Sequence, residues 1–270
     1  MKLYYLGPKG TFSYLAAKQY KSESEMDFEA KSNLYEVVQA VSNDDNSIAV
    51  VPIENSIEGT INIVADALTQ QNIFAQGELH LDIQFALYGS QGATVNDISK
   101  VYSIAPAISQ TSHYIQKQGF TYDYVDSTIK SLEKITDHVG AIAPLGSGEA
   151  YGYSPIEENI QDFPHNVTRF LVVSNQPSSI EDVEDASDTL LLITPQFDKP
   201  GLLASILNTF VLFNINLSWI ESRPLKTQLG MYHFFVQADT PINEDLAKVI
   251  KILNTLDFQV SIIGSFNKLS

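Results

Sequence analysis

Apolar residues recur along the first 75 positions with two alternating periods, one suited to strands and one to helices. Residues 2–6 form a β-type run that stops at Gly7-Pro8-Lys9-Gly10-Thr11-Phe12-Ser13, a glycine- and proline-bearing turn before a helical segment. Residues 26–31 predict a second strand. Leu34, Val37, Val38 and Val41 stand at i, i+3, i+4 and i+7 and predict an amphipathic helix, with Asn33 and Glu36 spaced as a capping box. Residues 47–53 are nearly all apolar, as a central parallel strand requires. Ile61, Val64, Ala65 and Leu68 repeat the helical spacing. The order β-α-β-α-β-α predicts a parallel sheet with helices on its faces.

Residues 74–88 are β-type without a helix. A second series follows: strands at 101–103, 122–125 and 139–143, and helices at 106–117 and 127–137. Gly146-Ser147-Gly148 opens a flexible stretch containing Gly152, and 168–173 predicts the strand on which the chain returns. These patterns predict two α/β lobes, about 1–75 plus 166–174, and 76–165, with a cleft. An acidic linker is expected at 176–188, where Glu181, Asp182, Glu184, Asp185 and Asp188 occur without a basic residue. The pattern then restarts with strand 189–194, helix 201–213, strands 217–223 and 231–238, helix 245–256 and strand 258–264. That is βαββαβ, the ferredoxin-like order. Leu246, Val249, Ile250, Leu253 and Leu256 give its second helix one apolar face.

Composition narrows the functional classes. The chain has 270 residues, 44% hydrophobic and 18% charged, enough for about two globular domains. Its formal net charge of −16 disfavours nucleic acid and anionic membranes as partners. An anionic substrate must therefore be captured by a local positive feature. Cysteine is absent, which excludes disulfides, thiolate nucleophiles and thiolate metal sites. The amino terminus turns at Gly7-Pro8 before any signal-length apolar run, and no membrane-length run follows, so a cytoplasmic protein is expected.

Only two arginines occur, Arg169 in Asn166-Val167-Thr168-Arg169-Phe170 and Arg223 in Glu221-Ser222-Arg223-Pro224. Arginine's planar fork suits carboxylates, so two anion-binding roles are one reading; ordinary ion pairs are the other. Pro52-Ile53-Glu54-Asn55-Ser56-Ile57-Glu58-Gly59-Thr60 gathers polar groups beyond the carboxyl end of the central strand, where α/β proteins place ligands. The same residues could simply turn the chain and cap the next helix. Thr11 and Ser13 could likewise present a helix start to an anion or serve as caps. His80, His113, His138, His165 and His233 show no metal-ligand spacing, so no metal or other cofactor is expected.

Gly-Pro-Lys-Gly-Thr-Phe-Ser near the start, Val-Pro-Ile-Glu-Asn-Ser with Gly59, and Asn-Val-Thr-Arg-Phe together resemble the prephenate dehydratase family, over essentially the whole chain. The resemblance implies a bilobed, periplasmic-binding-protein-like α/β catalytic domain over 1–175. It also implies loss of water and carbon dioxide from prephenate to give phenylpyruvate, on the route to L-phenylalanine. The essential threonine of the family falls on Thr168, its Glu-Asn pair on Glu54 and Asn55, and its cleft-lining serine and glutamine on Ser103 and Gln110. Family members read Ser-His-Pro-Gln where this chain has Ser103-Ile104-Ala105-Pro106, so that histidine has no counterpart here. Ser56, Arg169 and Phe170 complete the expected substrate-binding set with Thr11 and Ser13. The chemistry asks for a proton donor at the departing hydroxyl and a fixed leaving carboxylate. Thr168 suits donation or relay, Glu54 the ultimate acid, and Arg169 the anion.

Residues 189–270 resemble the ACT regulatory domain that follows the catalytic part in this family. Gly201, Leu202, Leu203 and Ala204 at the helix start, and Glu221, Ser222, Arg223 and Pro224 after the second strand, are the implied L-phenylalanine site. Leu202 and Ala204 depart from the usual Gly-Ala-Leu-Val. Such sites form between subunits, which implies a homodimer or homotetramer. Dehydration of arogenate and non-catalytic sensing of a small acid are the alternatives.

Overall fold

The computed structural model describes residues 1–178, 186–225 and 230–269. In chain order the strands are β1 (Lys2–Leu6), β2 (Asp27–Lys31), β3 (Ser47–Asn55), β4 (Gly59–Thr60), β5 (Phe74–Asp82), β6 (Phe85–Tyr88), β7 (Lys100–Ser103) and β8 (Thr121–Tyr124). They continue with β9 (Val139–Pro144), β10 (Pro155–Glu158), β11 (Val167–Ser174), β12 (Asp188–Pro195), β13 (Leu217–Pro224), β14 (Tyr232–Ala238), β15 (Phe258–Phe266) and β16 (Lys268–Leu269). The described helices are α1 (Phe12–Tyr20), α2 (Leu34–Ser42), α3 (Asn62–Gln70), α4 (Ala105–Gln110), α5 (Ser112–Gln118), α6 (Thr128–Leu132), α7 (Leu202–Val211) and α8 (Glu244–Thr255). None of them is long and apolar enough to cross a membrane.

Two compact units form. The first comprises Met1–Val37, Val50–Gly59 and His80–Phe170. Within it β1 pairs in parallel with β2, and β3 lies beside β1 on its other edge. Thr11 caps α1, accepting from the Tyr14 amide at 3.2 Å. A separate five-stranded sheet orders β10-β6-β9-β7-β8, with β7 parallel to β8 and β9 while β6 is antiparallel to β9 and β10. Ile83, Phe85, Leu87, Val101, Ile108 and Ile142 belong to the core on this sheet.

The second unit comprises Val38–Ala49, Thr60–Leu79 and Leu171–Ser270. Its four-stranded antiparallel sheet runs β13-β14-β12-β15, the order expected of βαββαβ. Leu246, Val249 and Leu253, one face of α8, join Ile206 and Phe210 of α7 and Leu191, Val236 and Phe258 of the sheet in one core. Asn243 caps α8 by accepting from the Asp245 and Leu246 amides.

Several expectations change. The parallel pairing expected of the first strands is met by β1 with β2, but the sheet is mixed: residues 56, 55 and 54 of the β3 end meet 167, 168 and 169 of β11 in reverse order, so these neighbours run antiparallel. The helix expected at 106–117 breaks at Thr111, whose hydroxyl bonds back to the Ala107 carbonyl at 2.7 Å and whose backbone leaves helical geometry. The helix at 127–137 stops at Leu132, and Thr136 pairs with Val139. β10 was not expected from the pattern, since it is a polar edge strand opened by Pro155. The acidic run at 181, 182, 184 and 185 of the expected linker lies outside the described residues.

Candidate active site

The site lies in the first unit, where the end of β3 meets the start of β11. Strand alternation sorts the side chains: Glu54 and Asn55 project to opposite faces, as do Thr168 and Arg169. Asn55 Nδ2 donates to Thr168 Oγ1 at 2.9 Å and to Asn166 Oδ1 at 2.8 Å. On the other face Arg169 Nη1 stands 3.6 Å from Glu54 Oε2, within ion-pair range. Asn55, Asn166, Thr168 and Arg169 are all buried. The sequence reading grouped Glu54 and Arg169 with Thr168. The structure instead pairs them with each other, because consecutive strand residues cannot share a face.

The connection after β3 is laced to β11. The Ser56 amide donates to the Val167 carbonyl at 2.9 Å, and Ser56 Oγ accepts from the Val167 amide at 3.0 Å. Asn55 Oδ1 accepts from the Ile57 and Glu58 amides, each at 2.9 Å, closing the turn. Ser56 thus builds the scaffold.

Gln110 joins from the last position of α4. Its Oε1 accepts from Asn166 Nδ2 at 2.8 Å and its Nε2 donates to Glu58 Oε1 at 3.0 Å. Gln110 is held in turn by its carbonyl, which accepts from the Asp162 amide at 2.7 Å. Glu58, Gln110, Asn166, Asn55 and Thr168 therefore form one continuous polar chain. Asn166 and Glu58 fall within stretches named in the sequence but were assigned no role there. The available signal for Asn166 was its place two residues before Thr168, which puts both on one face of an extended segment.

The remaining expected site residues lie elsewhere. Thr11 Oγ1 donates to the Leu6 carbonyl at 2.8 Å while accepting from the Tyr14 amide, so its hydroxyl serves as a cap. Ser13 is buried in α1. Ser103 is buried and donates to the Ile142 carbonyl of the neighbouring strand β9. Phe170 is part of the hydrophobic interior.

In the second unit, Arg223 is taken up by its own chain. Its Nε and Nη2 donate to Asp66 Oδ1 at 3.2 and 2.9 Å, and Nη1 donates to Asn62 Oδ1. Glu221 Oε2 accepts from Thr60 Oγ1 at 3.0 Å. Glu221 and Arg223 of β13 are thereby tied to the start of α3. Both arginines thus meet carboxylates of this chain. Gly201 precedes α7 with φ of +84°, where glycine is favoured, and the Ser205 amide donates to its carbonyl at 2.9 Å.

Comparison with known proteins decides the family. The prephenate dehydratase family model matches residues 3–178. The chain belongs to the prephenate dehydratase family. A curated prephenate dehydratase of Methanocaldococcus jannaschii is 34% identical over 269 residues, covering 97% of this chain and 96% of that relative. The crystal structure of prephenate dehydratase from Staphylococcus aureus subsp. aureus Mu50 is 68% identical, with a TM-score of 0.93 and coverage of 99% and 100%. Prephenate dehydratase from Arthrobacter aurescens in complex with L-Phe is 28% identical, with a TM-score of 0.86 and coverage of 100% and 90%. The resemblance seen in the sequence is met, and the chain is an enzyme of the hydro-lyase class acting as prephenate dehydratases do.

Proposed function

We propose that this chain converts prephenate to phenylpyruvate with Thr168 as the group at the departing hydroxyl. The Asn55–Thr168 hydrogen bond of 2.9 Å carries the reading. Thr168 accepts from an amide whose other contacts hold it in place, so the threonine proton is directed away from Asn55. Aromatisation of the ring supplies much of the driving force. The enzyme's part is to hold the substrate and donate to the hydroxyl as the carbon–oxygen bond breaks, while the ring carboxylate leaves as carbon dioxide. Gln110 shares the polar chain with Asn55 and holds substrate oxygens beside it. Glu54 and Arg169 brace β3 against β11 on the opposite face, which supports a positioning role for both. Ser13, in the first turn of α1 behind the Thr11 cap, is the candidate carboxylate holder through its backbone amide. Monitoring phenylpyruvate formation from prephenate, with arogenate as the comparison substrate, tests this. Equal turnover of arogenate, or no turnover of prephenate, would sink it.

Residues 189–270 act as an ACT regulatory domain in this reading, and Asp188, expected at the end of the linker, is instead the buried first residue of β12. The support is the βαββαβ order, the glycine at the α7 start and the L-Phe in the related complex. L-phenylalanine is the proposed effector, bound at 201–204 and 221–224. Leu203, Val211, Leu212 and Ile262 are exposed apolar residues of this domain, which favours a homodimer or homotetramer. The enzyme is proposed to act in the cytoplasm without nucleic acid or membrane partners. Calorimetry of L-phenylalanine on the full chain tests the effector, and absence of heat would count against it.

A further inference from the structure

Strand alternation divides residues 220–224 between the two faces of the four-stranded sheet. Across the antiparallel pair β13–β14, residues directly opposite each other share a face. Ile220, Ser222 and Pro224 stand opposite Val236, Phe234 and Tyr232. Phe234 and Val236 belong to the core that α7 and α8 cover, and Leu202 at the start of α7 packs against it. Ile220, Ser222 and Pro224 therefore lie on the helix face. Glu221 and Arg223 stand opposite Phe235 and His233, on the other face. Their partners there follow the helical period: Asn62 and Asp66 are i and i+4 on α3 and share one side of it. Arg223 Nε and Nη2 donate to Asp66 Oδ1 at 3.2 and 2.9 Å, and Nη1 donates to Asn62 Oδ1. Glu221 Oε2 accepts from Thr60 Oγ1 at 3.0 Å, one residue before the α3 N-cap Ile61. The Arg223 and Asp66 side chains are 16% and 23% exposed, so water screens this pair less than a surface pair.

We propose that Glu221 and Arg223 are coupling residues, which carry occupancy of the effector site to α3 and do not themselves hold L-phenylalanine. The proposal rests on the reading of L-phenylalanine as the effector at 201–204. An effector on the helix face meets Ser222 and Pro224, whereas Glu221 and Arg223 are turned away from it and already matched. One strand presents alternate residues to both faces, so a shift of Ser222 moves its two neighbours with it. Arg223 engages α3 through three nitrogens of one rigid planar group, so the shift is passed on and not absorbed by a flexible side chain. Glu221 bears on Thr60, which directly follows the Asn55–Gly59 connection of the candidate active site in the chain.

The test is calorimetric titration of the full chain with L-phenylalanine, alone and with saturating phenylpyruvate, the product. The ratio of the two Kd values measures the coupling, expected at about 5–150-fold in the parent. Arg223→Met should still bind L-phenylalanine, with that ratio reduced to within about twofold of one. Asp66→Ala, at the other end of the link, should do the same, and the double variant should add nothing further. Direct contact with the effector predicts a different pattern. Arg223→Met would then lose the heat, while Asp66→Ala, which releases the guanidinium, would keep both the heat and the parent's ratio. A parent-like ratio in either variant, or loss of heat in either folded variant, overturns the proposal. Asp66→Ala favours the helix by propensity and decides the matter alone should Arg223→Met not fold: a ratio near one upholds the proposal and a parent-like ratio overturns it. The parent separates the two readings. No heat from the parent removes the effector and this proposal with it, and a parent ratio of one leaves no coupling to carry. Heat and coupling in the parent, kept unchanged in Asp66→Ala, remove only the proposal.

Discussion

Asn55 and Thr168 lie across from each other on antiparallel neighbours, with Asn55 Nδ2 donating to Thr168 Oγ1 at 2.9 Å. The two residues are 113 positions apart in the chain. In this contact the asparagine occupies an acceptor position of the threonine oxygen, so the hydroxyl proton points away from Asn55.

Thr168→Val keeps the shape and removes the hydroxyl. Turnover is expected to fall by about 10²–10⁴-fold, in the range of a lost general acid–base contact. The far-ultraviolet circular dichroism should be unchanged. Thr168→Ser, which keeps the oxygen, should retain far more activity than valine.

Asn55→Asp separates holding from directing. The aspartate can still accept from the Ile57 and Glu58 amides, so the turn is kept. Its second oxygen can no longer donate to Thr168 and draws the threonine proton toward itself. The expected outcome is a loss in kcat of about 100-fold or more with little change in Tm. Parallel loss of Tm and activity would show that Asn55 acts only as a scaffold.

Arg223 and Asp66 link the proposed effector segment to α3 through two nitrogen–oxygen contacts of 3.2 and 2.9 Å. Asp66→Asn weakens that link without altering residues 201–204. The inhibition curve for L-phenylalanine is expected to shift by about 5–30-fold in concentration, within the usual range of coupling energies. A curve superimposable on the parent's would place coupling elsewhere.

His233 sits half-buried on β14 with Nδ1 2.7 Å from Thr194 Oγ1, and burial pushes its pKa below the ordinary value. A base with a depressed folded pKa stabilises the fold above its unfolded pKa of about 6.5. That contribution fades as pH falls through about 6.5 toward the folded value, since the unfolded chain takes up the proton first. Denaturant midpoints should fall as the pH is lowered from about 8 to about 5. His233→Gln should flatten this part of the profile.

Asp188 is buried at 2% side-chain exposure and meets Lys268 Nζ at 2.8 Å. Gln237 Nε2 bridges it to Glu78, donating to each carboxylate at 2.9 Å. Burial by itself would raise the Asp188 pKa, but bonds from Lys268, Ser187 and Gln237 outweigh it and hold the carboxyl below its usual range. Its stabilisation is present above the unfolded value of about 3.9 and is lost as pH falls through the lower folded value. Lys268→Met should destabilise the chain by about 1–2 kcal/mol, a figure reduced for the half-exposed lysine. Urea melts at neutral pH would check it, and an unchanged midpoint would show that Gln237 and Ser187 suffice.

Local elements and family membership were legible in the chain's residues alone. Periodicity placed β1 at residues 2–6 and the apolar face of α8, since these depend on side chains a few positions apart. Motif order singled out Thr168, Asn55 and Gln110, which the fold joins through Asn166 in one hydrogen-bonded chain. Which residues keep company was settled by the tertiary fold. Strand direction put Asn55 with Thr168 and Glu54 with Arg169 on opposite faces, and contact between β13 and α3 occupied Arg223 with Asp66. The partners of Asn166 and Glu58 came only from the fold, through bonds to residues 111 and 52 positions away. Such partners are selected by geometry between distant segments, which no spacing along one strand or helix records.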